Sequence, residues 1–521
     1  MGGAIFVVAG GTLTIAGQGS TAASDSVTGG ASGGGNSTAG SAFGKDIFIN
    51  GANTITFSPG NSNTYTVVND IADEAGNGGN AANKGAVAVT GGGTLVLSGT
   101  NTYAGGTTVT ASTLNVSADA NLGASTGGVT LNGGTLQLGA TFNTSSSRTF
   151  TFNNVSGNTI DTNGFNSIIA GTVTGAGGFT KTGAGTLTLG GTVNYTGPTT
   201  INGGNLALAG SGIGSLGSVN VANAAGTFDI SSATNGATIT TLSGVANSAV
   251  ALGTKSLTLS NASDTFAGVI SGTTGGLTLT TGTETLTGTN TYGGATIING
   301  GALVVNGAIV SATSVNTGGA LAGVGVVGAV TVNNGGTFAP GPSGAPGSMS
   351  TTGPLTFQSG GTYKVQVTPT TASIANVGGA GTLTGGSVNA QFTAGTYVAK
   401  SYDILHTTGL GGTTFTGVTG NVPRGFLASL SYTTTDVMLN LTGALDTSGL
   451  SGNQQNVATT LNTFLNNGGT VPPGFVPIFG LSGPALATAL TQLSGEAATG
   501  AQQANSQLMN AFLGILTDPF G

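Results

Sequence analysis

The chain has 521 residues, 100 of them Gly and none Cys, and only 4% carry a charge, for a net charge of −7. Eight Lys and Arg in all leave no basic stripe for nucleic acid or anionic lipid, and the lack of Cys excludes a disulfide framework or thiolate metal site. Apolar residues make up 38% and alternate regularly, which argues for a folded chain whose solvent face is built from Thr, Ser, Asn and Gly.

Met1–Gly11 places no Lys or Arg ahead of the apolar run Ile5–Ala9. It therefore does not read as a signal peptide, and the expectation is a start cut from its natural leader. No run of 18 apolar residues occurs, so no transmembrane helix is expected. The absence of Trp and the 6% aromatic content do not match the aromatic-girdled strands of an outer-membrane barrel. Residues 1–86 read as short strands at Thr12–Ile15, Asp46–Ile49, Thr54–Phe57 and Thr64–Val68, with Gly29–Gly44 as a loop leaving the fold. The acids Asp70, Asp73 and Glu74 read as a solvated loop rather than a cation site. Neither the EF-hand spacing nor the calcium-roll nonapeptide is present.

Residues 87–318 form a repeat body. The stretch Gly183–Leu208, GAGTLTLGGTVNYTGPTTINGGNLAL, has counterparts at Gly91–Leu114 and Thr283–Leu303. Tyr103, Tyr195 and Tyr292 mark the three copies, 92 and 97 residues apart. In Thr186–Leu189 the two leucines face one way and the two threonines the other. Asn202-Gly203-Gly204 then turns the chain, and Leu206 and Leu208 resume the inward face. The result is a strand-turn-strand coil of about 20 to 25 residues, or roughly 20 coils in all. Two architectures fit strands of this length, a parallel β-helix and an antiparallel sandwich array. Apolar positions that recur from coil to coil, with Asn and Thr at the turns where they can stack in ladders, favour the β-helix.

From 319 to 447 the tyrosine marker is lost, and Pro340, Pro342, Pro346 and Pro354 appear with denser aromatics, Phe357, Tyr363, Phe392, Tyr397, Tyr402, Phe415, Phe426 and Tyr432 among them. This reads as the better-packed end segment that a solenoid needs against its last coil. Residues 448–521 turn helical. Leu486, Leu490 and Leu493 recur at helical spacing, as do Leu508, Phe512 and Leu516. The reading is a linker of two or three amphipathic helices that lack a partner to pack on.

Chemical motifs are sparse. Gly323–Gly328 fits G-x-G-x-x-G, but a strand rather than a helix is expected after it, which leaves a pyrophosphate no helix N-terminus. Gly123–Gly127 fits G-x-S-x-G around Ser125, yet the single His, His406, has no evident link to it. Lys181 and Arg148 stand isolated, and no Asp-x-Asp or Glu-x-Asp pair in the repeat body supplies convergent carboxylates. No metal or cofactor site is expected. Tyr103, Tyr195 and Tyr292 either cover a turn of each coil or stack on sugar rings.

These residues carry a resemblance. GAGTLTLGGTVNYTGPTTINGGNL and GTNTYGGATIINGGAL resemble the autotransporter-associated β-strand repeat. Gly325–Val367 resembles the autochaperone region of such passengers, and Leu490–Leu516, with its LSGE start, resembles the junction that precedes the translocator barrel. The resemblance implies an all-β, right-handed parallel β-helix with a short α-helical C-terminal linker, exported through the outer membrane to the cell surface by its own C-terminal barrel, which is expected beyond Gly521. It implies a non-catalytic rod for adhesion, aggregation or display, with surface glycans or neighbouring cells as partners and no nucleic acid. The alternative is a secreted β-helical polysaccharide lyase or hydrolase.

Overall fold

A computed structural model describes residues 5–28 and 42–517. The expected loop at Gly29–Gly44 lies, from 29 to 41, outside the described residues. The chain divides into two compact units, Met1–Ser314 with Val326–Gly328, and Val315–Gly325 with Ala329–Gly521.

The first unit is a parallel β-solenoid. Most turns cross three faces, one more strand per turn than a strand-turn-strand coil would have, although the third face carries no strand between Asp73 and Phe142. The first face runs from Leu13–Ala16 to Val193–Tyr195 and resumes at Ser215–Leu216. The second runs from Gly19–Ser20 to Gly301–Val305. The third holds Ile5–Val7, Ile47–Ile49 and Ile71–Asp73, then re-forms from Phe142–Asn143 to Val269–Gly272. Each strand pairs in parallel with its equivalents one turn before and after, as Leu114 does with Leu95 and Leu136. This is an open spiral rather than a barrel, and across the chain it makes about sixteen turns.

Alternation drives the fold. In Thr186–Leu189 the leucines are buried and the threonines are not, and the partner residues Leu206 and Leu208 are buried one turn on. A fully buried Leu or Val contributes roughly 1.5–3 kcal/mol, and each turn adds several. At the turn between these halves Gly204 has φ +61°, and a Cβ there would lie 2.4 Å from the Gly185 carbonyl oxygen, so a side chain would be both strained and crowded. Polar ladders form as the composition predicted. The Asn153 amide donates to the Asn132 carbonyl oxygen at 3.2 Å. On the second face Asn115 donates to Gln137, which donates to Asp161, both at 2.9 Å.

The second unit is also built from parallel turns, with the predicted aromatics inside. Phe338, Phe357, Tyr363 and Phe415 pack ring on ring at 5.2–6.4 Å. The parallel register then ends. Asp436–Gly443 pairs antiparallel with both Lys400–His406 and Phe426–Tyr432. Three helices follow: α1 Gly452–Asn466, α2 Gly483–Ser494 and α3 Glu496–Thr517. The expectation that these helices lack a partner is corrected for α1 and α2. Leu465, Ile478, Phe479, Leu486 and Leu490 form one buried cluster, against which Phe426 of the hairpin packs. The Asn466 side chain also accepts the Gly443 amide at 2.7 Å and donates to its carbonyl at 3.0 Å. α1 and α2 thus cover the last hairpin. α3 keeps Leu508 and Phe512 exposed, and no described helix is long and apolar enough to cross a membrane.

Candidate functional site

The three marker tyrosines point inward. Tyr103, Tyr195 and Tyr292 are each 0% exposed. Each hydroxyl meets the threonine four residues on, Thr107 at 2.7 Å, Thr199 at 2.6 Å and Thr296 at 2.7 Å. Tyr195 also packs edge-on against Phe152 and Phe179, at 5.5 and 5.6 Å. A ring with no open face cannot stack on a sugar, so that expectation is corrected: these residues pin a corner of the coil from inside.

The reading of Asp70, Asp73 and Glu74 as a solvated loop is corrected in the same way. Asp73 ends the strand Ile71–Asp73 and is fully buried. Its carboxylate accepts the amides of Gly76 at 2.6 Å, Gly85 at 2.7 Å and Ala104 at 2.8 Å. Asp70 accepts the amides of Gly44 and Lys45 at 2.9 and 3.1 Å. Glu74 accepts from the side-chain amides of Asn50 and Asn83. Chain groups thus occupy the oxygens a cation would need, and no group of three or more His, Cys, Asp or Glu suited to a metal occurs among the described residues.

Arg148 is not isolated. It is fully buried, pairs with Asp119 at 2.7 Å, and donates to the carbonyls of Leu122, Gly123, Ala124 and Gly127 at 2.7–3.2 Å. These carbonyls belong to the segment that carries Ser125, where the third face has no strand. The G-x-S-x-G string is therefore a loop clamped by a guanidinium, with a 3₁₀ turn (Asp119–Leu122) before it and a strand (Val129–Asn132) after it. It lacks the strand-to-helix turn that exposes a nucleophile. Lys181 is likewise fully buried, and its ammonium donates to Thr162 Oγ1 and to the carbonyls of Thr182, Gly183 and Gly203 at 2.8–3.0 Å. Burial lowers its pKa to about 8, against a smaller opposing pull from Asp161.

A strand, Val330–Val332, follows Gly323–Gly328 as expected. His406 lies on the strand Lys400–His406, and its Nδ1 is 2.5 Å from Asp436 Oδ1. The Asp436 hydrogen bond raises the imidazole pKa, and the same bond lowers that of Asp436 to about 2.

The outward surface offers something different. On the first face Thr14, Thr56, Thr108, Thr130, Thr151 and Thr174 stand in one register column, broken by Ala88. No strand of this face up to Tyr195 carries an acid or a base. The column repeats at the rung spacing of a sheet, about 4.8 Å. It is a periodic, neutral array of hydroxyls and methyls.

One pairing was missed by a search along single strands. Thr285 N donates to the Asp264 carbonyl at 3.0 Å, which sets Asp264 one rung from Glu284 on the second face. The available signal was a spacing of 20 residues, one turn, between two acids.

The passenger-associated transport repeat family matches residues 88–116, 179–208 and 274–305. No curated protein matches the chain. In each matched segment the two halves lie one on the other, a single turn apart: Leu95 on Leu114, Leu187 on Leu206 and Glu284 on Leu303. The chain thus carries three passenger-associated transport repeats on a parallel β-solenoid, the make-up of an autotransporter passenger, and this repeat family implies export to the cell surface.

Proposed function

We propose that this chain is the non-catalytic passenger of an autotransporter, exported by a barrel of its own polypeptide and displayed for adhesion or aggregation. The observation that carries the reading is the repeat itself. Each copy supplies two stacked rungs of the solenoid, and its distinctive side chains, a tyrosine and its threonine partner, point inward and serve the fold. On the outside, the first face presents a neutral column of threonines. Such a surface suits many weak, repeated contacts, and repetition raises avidity without any tight single site. Surface glycans or neighbouring cells are the partners this chemistry favours, and a chain of net charge −7 with few bases disfavours nucleic acid.

The alternative of a carbohydrate-active enzyme asks for carboxylates converging in a groove. Asp264 and Glu284 do approach one another, but Glu284 is 0% exposed and out of reach of a sugar. The test is to express the parent reading frame in a Gram-negative host. Protease shaving of intact cells should remove the chain, and displaying cells should settle or bind surfaces faster than empty-vector cells. Protection from the protease would overturn the display reading. Sugar release from neutral or acidic polysaccharides by the purified chain would overturn the non-catalytic one.

A further inference from the structure

Glu284 occupies a position that belongs to leucine. The matched repeats read TLVL at Thr94–Leu97, TLTL at Thr186–Leu189 and TETL at Thr283–Leu286. The third copy therefore directs a carboxyl group into the coil where the others direct Leu95 and Leu187. It lies under Leu303 on the following rung and over Asp264 on the preceding one.

Three acids are buried among the described residues, Asp46, Asp73 and Glu284. Asp46 accepts from Thr21 and from the backbone and side chain of Asn69, and Asp73 is filled by three backbone amides. Neither oxygen of Glu284 has a hydrogen-bond partner at regular distance and angle, and the nearest donors, the Thr241 hydroxyl and the Leu242 amide, only partly offset its burial. Among the described residues no basic side chain offsets it, and the charge acting on it is that of Asp264. Leaving a buried charge uncompensated is strongly destabilising, by several kcal/mol. Two carboxylates stacked on adjacent rungs of a sheet, about 4.8 Å apart along the axis, invite a positive charge between them.

We propose that Asp264 and Glu284 form a calcium site inside the second face of the solenoid. The side-chain donors at hand are all hard oxygens: two carboxylates and the Thr241 hydroxyl. This set suits Ca²⁺ rather than a metal that seeks nitrogen or sulfur. The two charges of the ion cancel those of the pair. Asp264 is only partly buried, which gives the ion a way in and leaves room for water to complete its shell. Calcium tolerates an irregular shell, whereas Mg²⁺ demands near-ideal octahedral geometry that ligands fixed to sheet rungs cannot easily adopt. In the absence of the ion, burial and then Asp264 raise the Glu284 pKa to about 9, so a proton takes the same place.

The experiment uses the whole chain, stripped with EDTA and dialysed at neutral pH. Calcium chloride is titrated in by calorimetry, and the urea midpoint is recorded with and without millimolar Ca²⁺. One ion per chain should bind and the midpoint should rise. Asp264→Asn and Glu284→Gln should each weaken binding by at least about tenfold. Glu284→Leu restores the residue of the other repeats, so it should fold at least as stably and lose the calcium response altogether. A response retained in Glu284→Leu, a midpoint in the wild type indifferent to Ca²⁺, or equal binding of Mg²⁺ would each overturn the assignment.

Discussion

The hydroxyl of Tyr195 lies 2.6 Å from that of Thr199, inside the coil and closed off from solvent. The same bond recurs at Tyr103–Thr107 and Tyr292–Thr296, both at 2.7 Å. It anchors the start of the next strand across a corner of the coil, and burial raises the phenol pKa of all three, that of Tyr103 to about 12.

Removal of one partner leaves the other buried and unsatisfied, which costs roughly 1–3 kcal/mol. Tyr195→Phe should therefore lower the unfolding free energy by that amount, read from the shift of the urea midpoint. The double variant Tyr195→Phe/Thr199→Val should recover most of the loss, because neither group is then left unpaired. Equal destabilisation by the single and the double variant would show that the hydrogen bond is not what matters.

Arg148 holds a strandless stretch of the third face through four carbonyls and Asp119. Arg148→Met keeps most of the volume but strands those acceptors. A loss of about 3–5 kcal/mol is expected, the range for breaking a buried ion pair on one side. Limited proteolysis should then cut between Asp119 and Gly128 well before other sites.

Two buried ionisable groups act in opposite directions with pH. Glu284 titrates at about 9 in the fold against 4.5 when free. Between those values the folded state keeps a proton the unfolded chain gives up, so stability falls as pH rises through the window. Lys181 titrates at about 8 against 10.5. There the folded state binds fewer protons, and stability is gained as pH rises from about 8 to 10.5. In EDTA, the unfolding free energy from urea denaturation should decline from acid to neutral pH, at most by about 1.4 kcal/mol per unit, and flatten above pH 8. Glu284→Leu should remove the decline. A wild-type profile that is flat from acid to neutral pH would contradict both the burial and the raised pKa of this group.

The C-terminal helices should divide sharply in their response to truncation. Leu490 of α2 is fully buried beside Phe479, whereas Leu508 of α3 is 75% exposed. Leu490→Ala should destabilise the second unit by about 2–5 kcal/mol, and Leu508→Ala should leave its stability unchanged. Near-ultraviolet circular dichroism through denaturation would separate the two.

Much of the fold was legible because it is written locally. TLTL, followed by Asn-Gly-Gly and NLAL, names two strands, a turn and an inward face, and the structure forms all of them. The side-chain ladders followed from the same recurrence. The tyrosines were legible as markers but not as core, since nothing in a single Tyr tells which way it points. Arg148 and Asp119 are 29 residues apart, and their pairing depends on a loop folding back to meet the next turn.

By itself, then, the sequence determined a parallel solenoid of short alternating strands with a surface nearly free of charge. Only the tertiary structure decided which rungs and faces meet. The halves of the first and third repeats stack on the second face, while those of the second stack on the third, one corner further round. The reason is cumulative. Side-chain direction is set by a period of two within a strand, but rotational position is the sum of every strand and corner before it, so a few residues added at any turn move all that follows to another face. The same sum places Asp264 against Glu284 and shields the tyrosines that a reader of single strands would leave in the open.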